Sequence, residues 1–221
     1  MLSREGKTLF YAVAGPLMRA NGLLHRALRR AGDQPLKVHL GPGQRNYLQG
    51  WVNVDANIFT GHCDLWADLR HPLPFADGTV TALYSHHVIE HLPKLAAHFR
   101  DAYRCLKPGG VYRVGGPNGD AAIAKFIEDD LAWFSDFPDQ RRSIGGRFEN
   151  FIFCRQEHLT ILTHSYLHEL MSDAGFIDIQ QQRTATMTMW PEWFQDCLAR
   201  EDDESDASHP HTLILEGRKP C

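Results

Sequence analysis

The chain has 221 residues, of which 43% are hydrophobic and 23% charged, with a formal charge of −4. That length suits one domain with a sizeable core, and the acidic balance gives no electrostatic case for nucleic acid as a partner. Cys63, Cys105, Cys154, Cys197 and Cys221 are scattered without a CxxC pair, which argues against a disulfide framework or a zinc knuckle and suits a reducing cytosol. No apolar run reaches the roughly 18 residues of a membrane span and the N-terminus lacks a signal-peptide layout, so the expected location is cytoplasmic.

In chain order, residues 7–31 read as helix, interrupted at Gly15-Pro16, where the proline suits a first helical turn. Leu17, Met18, Ala20, Leu23, Leu24, Ala27 and Leu28 share one face, with Arg19, Arg26, Arg29 and Arg30 opposite. Such a basic amphipathic helix either packs across the core or against a second subunit, or lies peripherally on the inner face of an anionic membrane. Residues 1–35 are thus expected to form a helical extension, and residues 36–221 the main domain. Strands are predicted near 37–41, 51–55, 64–68, 79–85, 110–116, 176–183 and 211–218. Helices are predicted near 93–106, 120–134, 157–174 and 192–199. The alternation predicts an α/β fold, a mostly parallel seven-stranded sheet with helices on both faces and an antiparallel edge strand. Residues 118–165, rich in aromatics and arginines, read as an insertion over the ligand end of the sheet. Glu201 to Asp206 read as an acidic, solvated loop.

The segment KVHLGPGQRNYLQGWVNVD (37–55) carries the first chemical signal. Gly41-Pro42-Gly43 follows one predicted strand, and Asp55 closes the next. A glycine turn lets backbone N–H groups approach a cofactor, and the acid can hold two ribose hydroxyls. A dinucleotide site would place a third glycine where Asn46 stands and its acid about 20 residues on. Asp55 comes only twelve positions after Gly43, so the spacing argues against a nicotinamide or flavin dinucleotide.

The stretches ADLRHPLPFADGTVTALYSHHVIEHLP and YRCLKPGGVYRVGGPNG, followed by SYLHELMSDAGFIDI, resemble class I S-adenosylmethionine-dependent methyltransferases. With GWVNVD and the basic N-terminal helix, the layout looks most like the predicted methyltransferases of bacterial surface-polysaccharide biosynthesis. The resemblance implies a Rossmann-like sheet, S-adenosyl-L-methionine as cofactor, and contacts to it from Gly41, Gly43, Asp55 and His86. It also implies that Asp68 meets the adenine amine, with Leu69 beside it. The residue two before the first glycine, usually acidic and set against the methionine ammonium group, is His39 here, and the usual strand-four Asp is Thr81. Asp64 or a backbone carbonyl could replace the missing acid. Gly41 and Gly43 alone could be a strand-ending turn, and Asp68 an Asx turn before Arg70.

A hydroxyl or amine acceptor needs a base near the transferred methyl. His86 and His87, at the end of the fourth predicted strand, are the candidates, because imidazole changes protonation near neutral pH. If a helix has begun by His87, then His87, Glu90 and His91 share one face and could form a facial triad for a divalent ion. The alternative is that Glu90 and His91 cap or pair within the helix. Arg141, Arg142, Arg147 and Arg155 suit either an anionic saccharide-type acceptor or surface ion pairs. Trp190, Trp193 and Phe194 read as packing. His158, His164 and His168 have no identifiable carboxylate partner in the sequence. The expected function is methyl transfer to an oxygen of a saccharide acceptor. A non-catalytic cofactor-binding or scaffold protein of a glycan-assembly system is the alternative.

Overall fold

A computed structural model of the chain describes residues 4–28, 34–57, 61–202 and 208–221. Seven strands, β1 (Lys37–Leu40), β2 (Val52–Asp55), β3 (Leu65–Trp66), β4 (Val80–His86), β5 (Leu106–Pro117), β6 (Ile177–Gln182) and β7 (Thr212–Arg218), form one sheet in the order β3-β2-β1-β4-β5-β7-β6. The first five pair in parallel, and β7 runs antiparallel to both β5 and β6. The chain steps outward from β1 to β2 and β3, then returns to add β4 on the other side of β1. This reversal opens a crevice at the carboxyl ends of β1 and β4, the place where open α/β sheets bind ligands. It brings Gly41, Asp55 and His86 to one edge although 45 residues separate the first from the last.

The helices are α1 (Arg4–Leu28), α2 (Leu95–Cys105), α3 (Gly119–Ile127), α4 (Ile144–Phe153), α5 (His164–Ala174) and α6 (Pro191–Leu198), with a short 3-10 helix at Ile89–His91. Their starts are set by local chemistry. Asn118, Ser143 and Thr163 cap α3, α4 and α5 by accepting from the backbone N–H of Ala121, Gly146 and Tyr166. Gly175 ends α5 at φ +103°. Leu95, Phe99, Ala102 and Cys105 of α2 recur at helical spacing, and with Leu167, Leu170 and Met171 of α5 they cover one face of the sheet. The opposite face carries Trp51, Tyr84 and Phe194 under α6. Trp190 and Trp193 pack against that cluster, as expected of core residues.

α1 differs from its sequence reading in two ways. It runs unbroken through Pro16, and of its predicted apolar face only Met18 is buried. Met18 is fully buried, Gly22 faces Pro74, Asn21 donates to the Trp66 carbonyl and His25 contacts the Pro74 carbonyl. Leu9, Val13, Leu17, Leu24 and Leu28 point outward, each more than half exposed. Small and polar groups make the interface because a close approach to the β3–β4 connection leaves no room for leucine; the apolar stripe is the open face. Arg29 and Arg30 lie outside the described residues. Among the described residues no helix is long and apolar enough to cross a membrane.

A second departure concerns the acidic segment. Glu201 is buried against Arg113 of β5, which is fully buried too. Arg113 donates to both oxygens of Glu201 (2.7 and 2.6 Å) and to Glu216 of β7 (2.7 Å). The remaining acceptors are filled by Ala185 N–H, Thr188 hydroxyl and Met189 N–H. A buried ion set is tolerable only when saturated in this way. Hence Glu201 is not solvated, and residues 203–207 fall outside the described set.

His98 of α2 is also enclosed in the core, 2.9 Å from the Tyr112 hydroxyl. Burial pulls its pKa down from the usual 6.5 to about 4. The unfolded chain therefore takes up a proton below about pH 6.5 that the folded chain refuses until about pH 4, and stability falls as pH falls through that window. His98→Gln should remove a contribution to this loss on the order of 3 kcal/mol, read as a flatter dependence of urea-unfolding free energy on pH. A slope equal to that of the parent protein would contradict the assignment.

Candidate functional site

The glycine turn is built as a cradle. Gly41 has φ +67° and Gly43 φ +57°, conformations that favour glycine. A side chain at Gly41 would strike Val88 Cγ2 at 2.4 Å, whereas one at Gly43 would meet no atom within 4 Å. The first glycine thus serves packing against the β4 loop, and the second faces open space. Asp55 Oδ2 accepts from the Gly43 N–H at 3.0 Å and Oδ1 accepts from the Asn57 N–H at 2.9 Å. Each oxygen keeps a lone pair for a ligand. A turn with an open inner surface and a carboxylate fixed beside it fits the methionine and ribose portions of a nucleoside cofactor.

The other predicted contacts are placed differently. His39 is buried, with Nδ1 donating to Asn53 Oδ1 at 3.1 Å and its ring on Tyr84. Burial lowers its pKa to about 4, so it is neutral and does not replace a carboxylate. Asp64 does not replace it either: its oxygens are taken by the Asn53 N–H and side-chain amide and by the Tyr47 hydroxyl. Asp68 closes the Asx turn, accepting from the Arg70 N–H, and forks with the Arg70 guanidinium at 2.9 and 2.7 Å. Arg70 in turn lies 3.4 Å from the centre of the Tyr11 ring, so α1 reaches the Asp68–Arg70 pair. Leu69 is half-buried against the main core.

At the end of β4 the two histidines divide. His86 is buried, and among the described residues neither ring nitrogen has a hydrogen-bond partner. Burial, then the neighbouring His87, lowers its pKa to about 2. A buried polar group left unpaired costs free energy that a ligand can recover. His87 adopts φ +54° outside any helix. Its Nδ1 lies 3.3 Å from Glu90 Oε1 and its Nε2 3.2 Å from the Thr212 hydroxyl. Glu90 is almost wholly buried; burial alone would raise its carboxyl pKa, yet His87 and His91 bring it below the usual value. A buried carboxylate at Nδ1 fixes the ring and favours the tautomer with the lone pair on Nε2. The helix needed to align His87, Glu90 and His91 does not exist, because only Ile89–His91 form a 3-10 turn. The ligand atoms that converge with Glu90 and His91 belong instead to His158.

The insertion forms α3, α4 and a cluster of Trp133, Phe134 and Ile152 with Phe148 and Phe151. Arg147 donates to the carbonyls of Phe134 and Arg141, and Arg155 to Asp139. Arg141 also pairs with Asp139. Three of the four arginines are therefore internal ties. Thr212 and Tyr11 give no signal in sequence, and Glu201 and His158 read there as solvated and as unpaired, because each meets its partner only through the tertiary fold.

Residues 20–114, somewhat under half the chain, match the family described as a methyltransferase domain. No curated protein matches the chain. Among solved structures, a Thermotoga maritima S-adenosylmethionine-dependent methyltransferase, described as a possible histamine N-methyltransferase, superimposes with TM-score 0.54 at 15% identity over 96% of this chain and 95% of that one. A Mesorhizobium loti S-adenosylmethionine-dependent methyltransferase gives 0.50 at 16% over 93% and 97%. A Haemonchus contortus phosphoethanolamine N-methyltransferase 2 in complex with S-adenosyl-L-methionine gives 0.51 at 14%, over 90% of this chain and 52% of that one. The sheet is that of the Rossmann-like methyltransferases. The methyltransferase-domain match and the neighbour with S-adenosyl-L-methionine bound support S-adenosylmethionine as cofactor.

The two glycines separate packing from binding. Gly41→Ala should destabilise the fold by about 1–3 kcal/mol in chemical denaturation through strain and overpacking. Gly43→Ala should cost about 1–2 kcal/mol yet weaken S-adenosylhomocysteine binding about tenfold or more, measured by calorimetry. Unchanged affinity in Gly43→Ala would remove this turn from the cofactor site.

Proposed function

We propose that this chain is an S-adenosylmethionine-dependent methyltransferase that methylates a hydroxyl oxygen of a saccharide or glycan-precursor acceptor, with His87 as base. The observation that supports the oxygen acceptor is the Glu90–His87–Thr212 arrangement at the carboxyl end of β4. A hydroxyl keeps its proton at neutral pH, so its attack is helped by a positioned imidazole, typically by 10²–10⁴-fold.

The cofactor supplies a methyl group on a sulfonium, transferred by in-line displacement. Gly41 and Gly43 shape the turn that receives it, and Asp55 would hold its ribose hydroxyls. His86, neutral and lacking a protein partner among the described residues, would meet the cofactor or the acceptor near the reacting centre. His87 Nε2 would accept the acceptor's proton while Glu90 steadies the resulting imidazolium. The saccharide class rests on the sequence resemblance and on this base. An anionic acceptor gains no support from Arg141, Arg147 and Arg155, which are spent on the insertion itself.

The test is methyl transfer from S-adenosylmethionine to oligosaccharides and nucleotide sugars, followed by mass spectrometry for a gain of one methylene unit. His87→Ala should lower kcat by about 10²–10⁴-fold and leave S-adenosylhomocysteine affinity within about threefold, which is under 1 kcal/mol. Methylation of amines with no product on any hydroxyl, or full turnover in His87→Ala, would overturn this reading.

A further inference from the structure

Beside the proposed base, and independent of the methyl donor, we propose a divalent transition-metal site formed by Glu90, His91 and His158. One ligand atom from each lies within 4.8 Å of the other two. The Glu90 side chain is 1% exposed, and among the described residues neither of its oxygens completes a hydrogen bond of good geometry. The imidazoles of His87 and His91 face Oε1 at 3.3 and 3.8 Å. A buried carboxylate in that condition is expensive unless a cation balances it.

The two histidines are prepared as ligands. His91 Nδ1 bonds the carbonyl of Glu157 at 2.9 Å, and His158 Nδ1 bonds the carbonyl of Ile152 at 3.1 Å. A carbonyl only accepts, so both rings carry their proton on Nδ1 and keep the Nε2 lone pair. This is the outer-shell pattern that orients metal-binding imidazoles. His91 Nε2 is the atom turned toward Glu90, and the two rings stand edge to face with centroids 5.0 Å apart. The chain delivers His158 by three consecutive left-handed residues, Cys154, Arg155 and Gln156. The Leu159 N–H then bonds the Glu90 carbonyl at 2.7 Å, locking the insertion to the 3-10 turn.

Two imidazoles and one carboxylate suit zinc, or iron and manganese as a facial set, with positions left open for oxygen ligands such as hydroxyls or phosphate. Metal–ligand bonds of about 2.0–2.2 Å put ligand atoms about 3–3.5 Å apart. The open side is accessible, since the His91 side chain is 42% exposed. His86, His87 and Asp202 make a second group of ligand atoms nearby, and it serves as the control.

The experiment is calorimetric titration of the chelator-stripped full chain with zinc chloride, paired with visible absorption after cobalt(II) addition. One ion per chain and a cobalt d–d spectrum are expected. His158→Gln and His91→Gln should each weaken binding by about a hundredfold or more, with Asp202→Asn unchanged. The proposal fails if the parent chain gives no saturable binding or no cobalt spectrum. It fails equally if the two histidine variants, shown folded by circular dichroism, bind as the parent does, or if Asp202→Asn alone abolishes binding. Should one histidine variant not fold, the other and the parent's cobalt spectrum decide the matter.

Discussion

Glu90 is a carboxylate held almost out of water at the point where the sheet, the 3-10 turn and the insertion meet. Removing a carboxylate from water costs several kcal/mol unless opposite charge and donors are supplied. The structure answers with imidazoles rather than with arginine or lysine. Imidazoles are the side chains that can both balance the charge and release a proton near neutral pH. Room for the carboxylate comes from Gly116 of β5, where a Cβ would stand 3.1 Å from Glu90 Oε2 and 2.6 Å from Leu162. His87, the insertion and the His91–His158 pair all meet at this one buried charge.

A second buried charge set fixes the opposite side of the sheet. Arg113 bridges β5, β7 and the segment after α6, and so ties the C-terminal part of the chain to the central strands. Its saturation by Glu201 and Glu216 places Asp202 beside His86 and His87. Truncating one partner of such a set leaves an uncompensated charge, whereas replacing the whole set by apolar residues can be neutral. The role of the set is therefore to hold one arrangement of the β7 side of the sheet. That arrangement includes Thr212, which opens β7 and meets His87 Nε2.

What the sequence discloses is governed by range. The strand runs, the glycine turn and the capping residues Asn118, Ser143 and Thr163 act over a few residues, so their patterns are visible locally. By contrast, the β1–β4 reversal, which brings Gly41, Asp55 and His86 together, belongs to the strand order and has no local pattern. The leucines of α1 point to a docking face of which only Met18 is buried, because close approach to Pro74 selects Gly22 and Asn21 beside it. Glu201 looked solvated because its partner lies 88 residues away. His158 looked idle for the same reason, since Glu90 is 68 positions earlier. His87 failed to join a helical face because the chain turns left-handed there before the 3-10 turn begins.

We propose that the Gly41–Gly43 turn and Asp55 receive an S-adenosyl cofactor rather than a dinucleotide. Calorimetric titration of the full chain with S-adenosylhomocysteine and, separately, with NAD tests it most directly. Saturable one-to-one binding of S-adenosylhomocysteine that is lost in a folded Asp55→Ala variant is expected, with no binding of NAD. Binding of NAD without S-adenosylhomocysteine, or S-adenosylhomocysteine binding indifferent to Asp55, would contradict it.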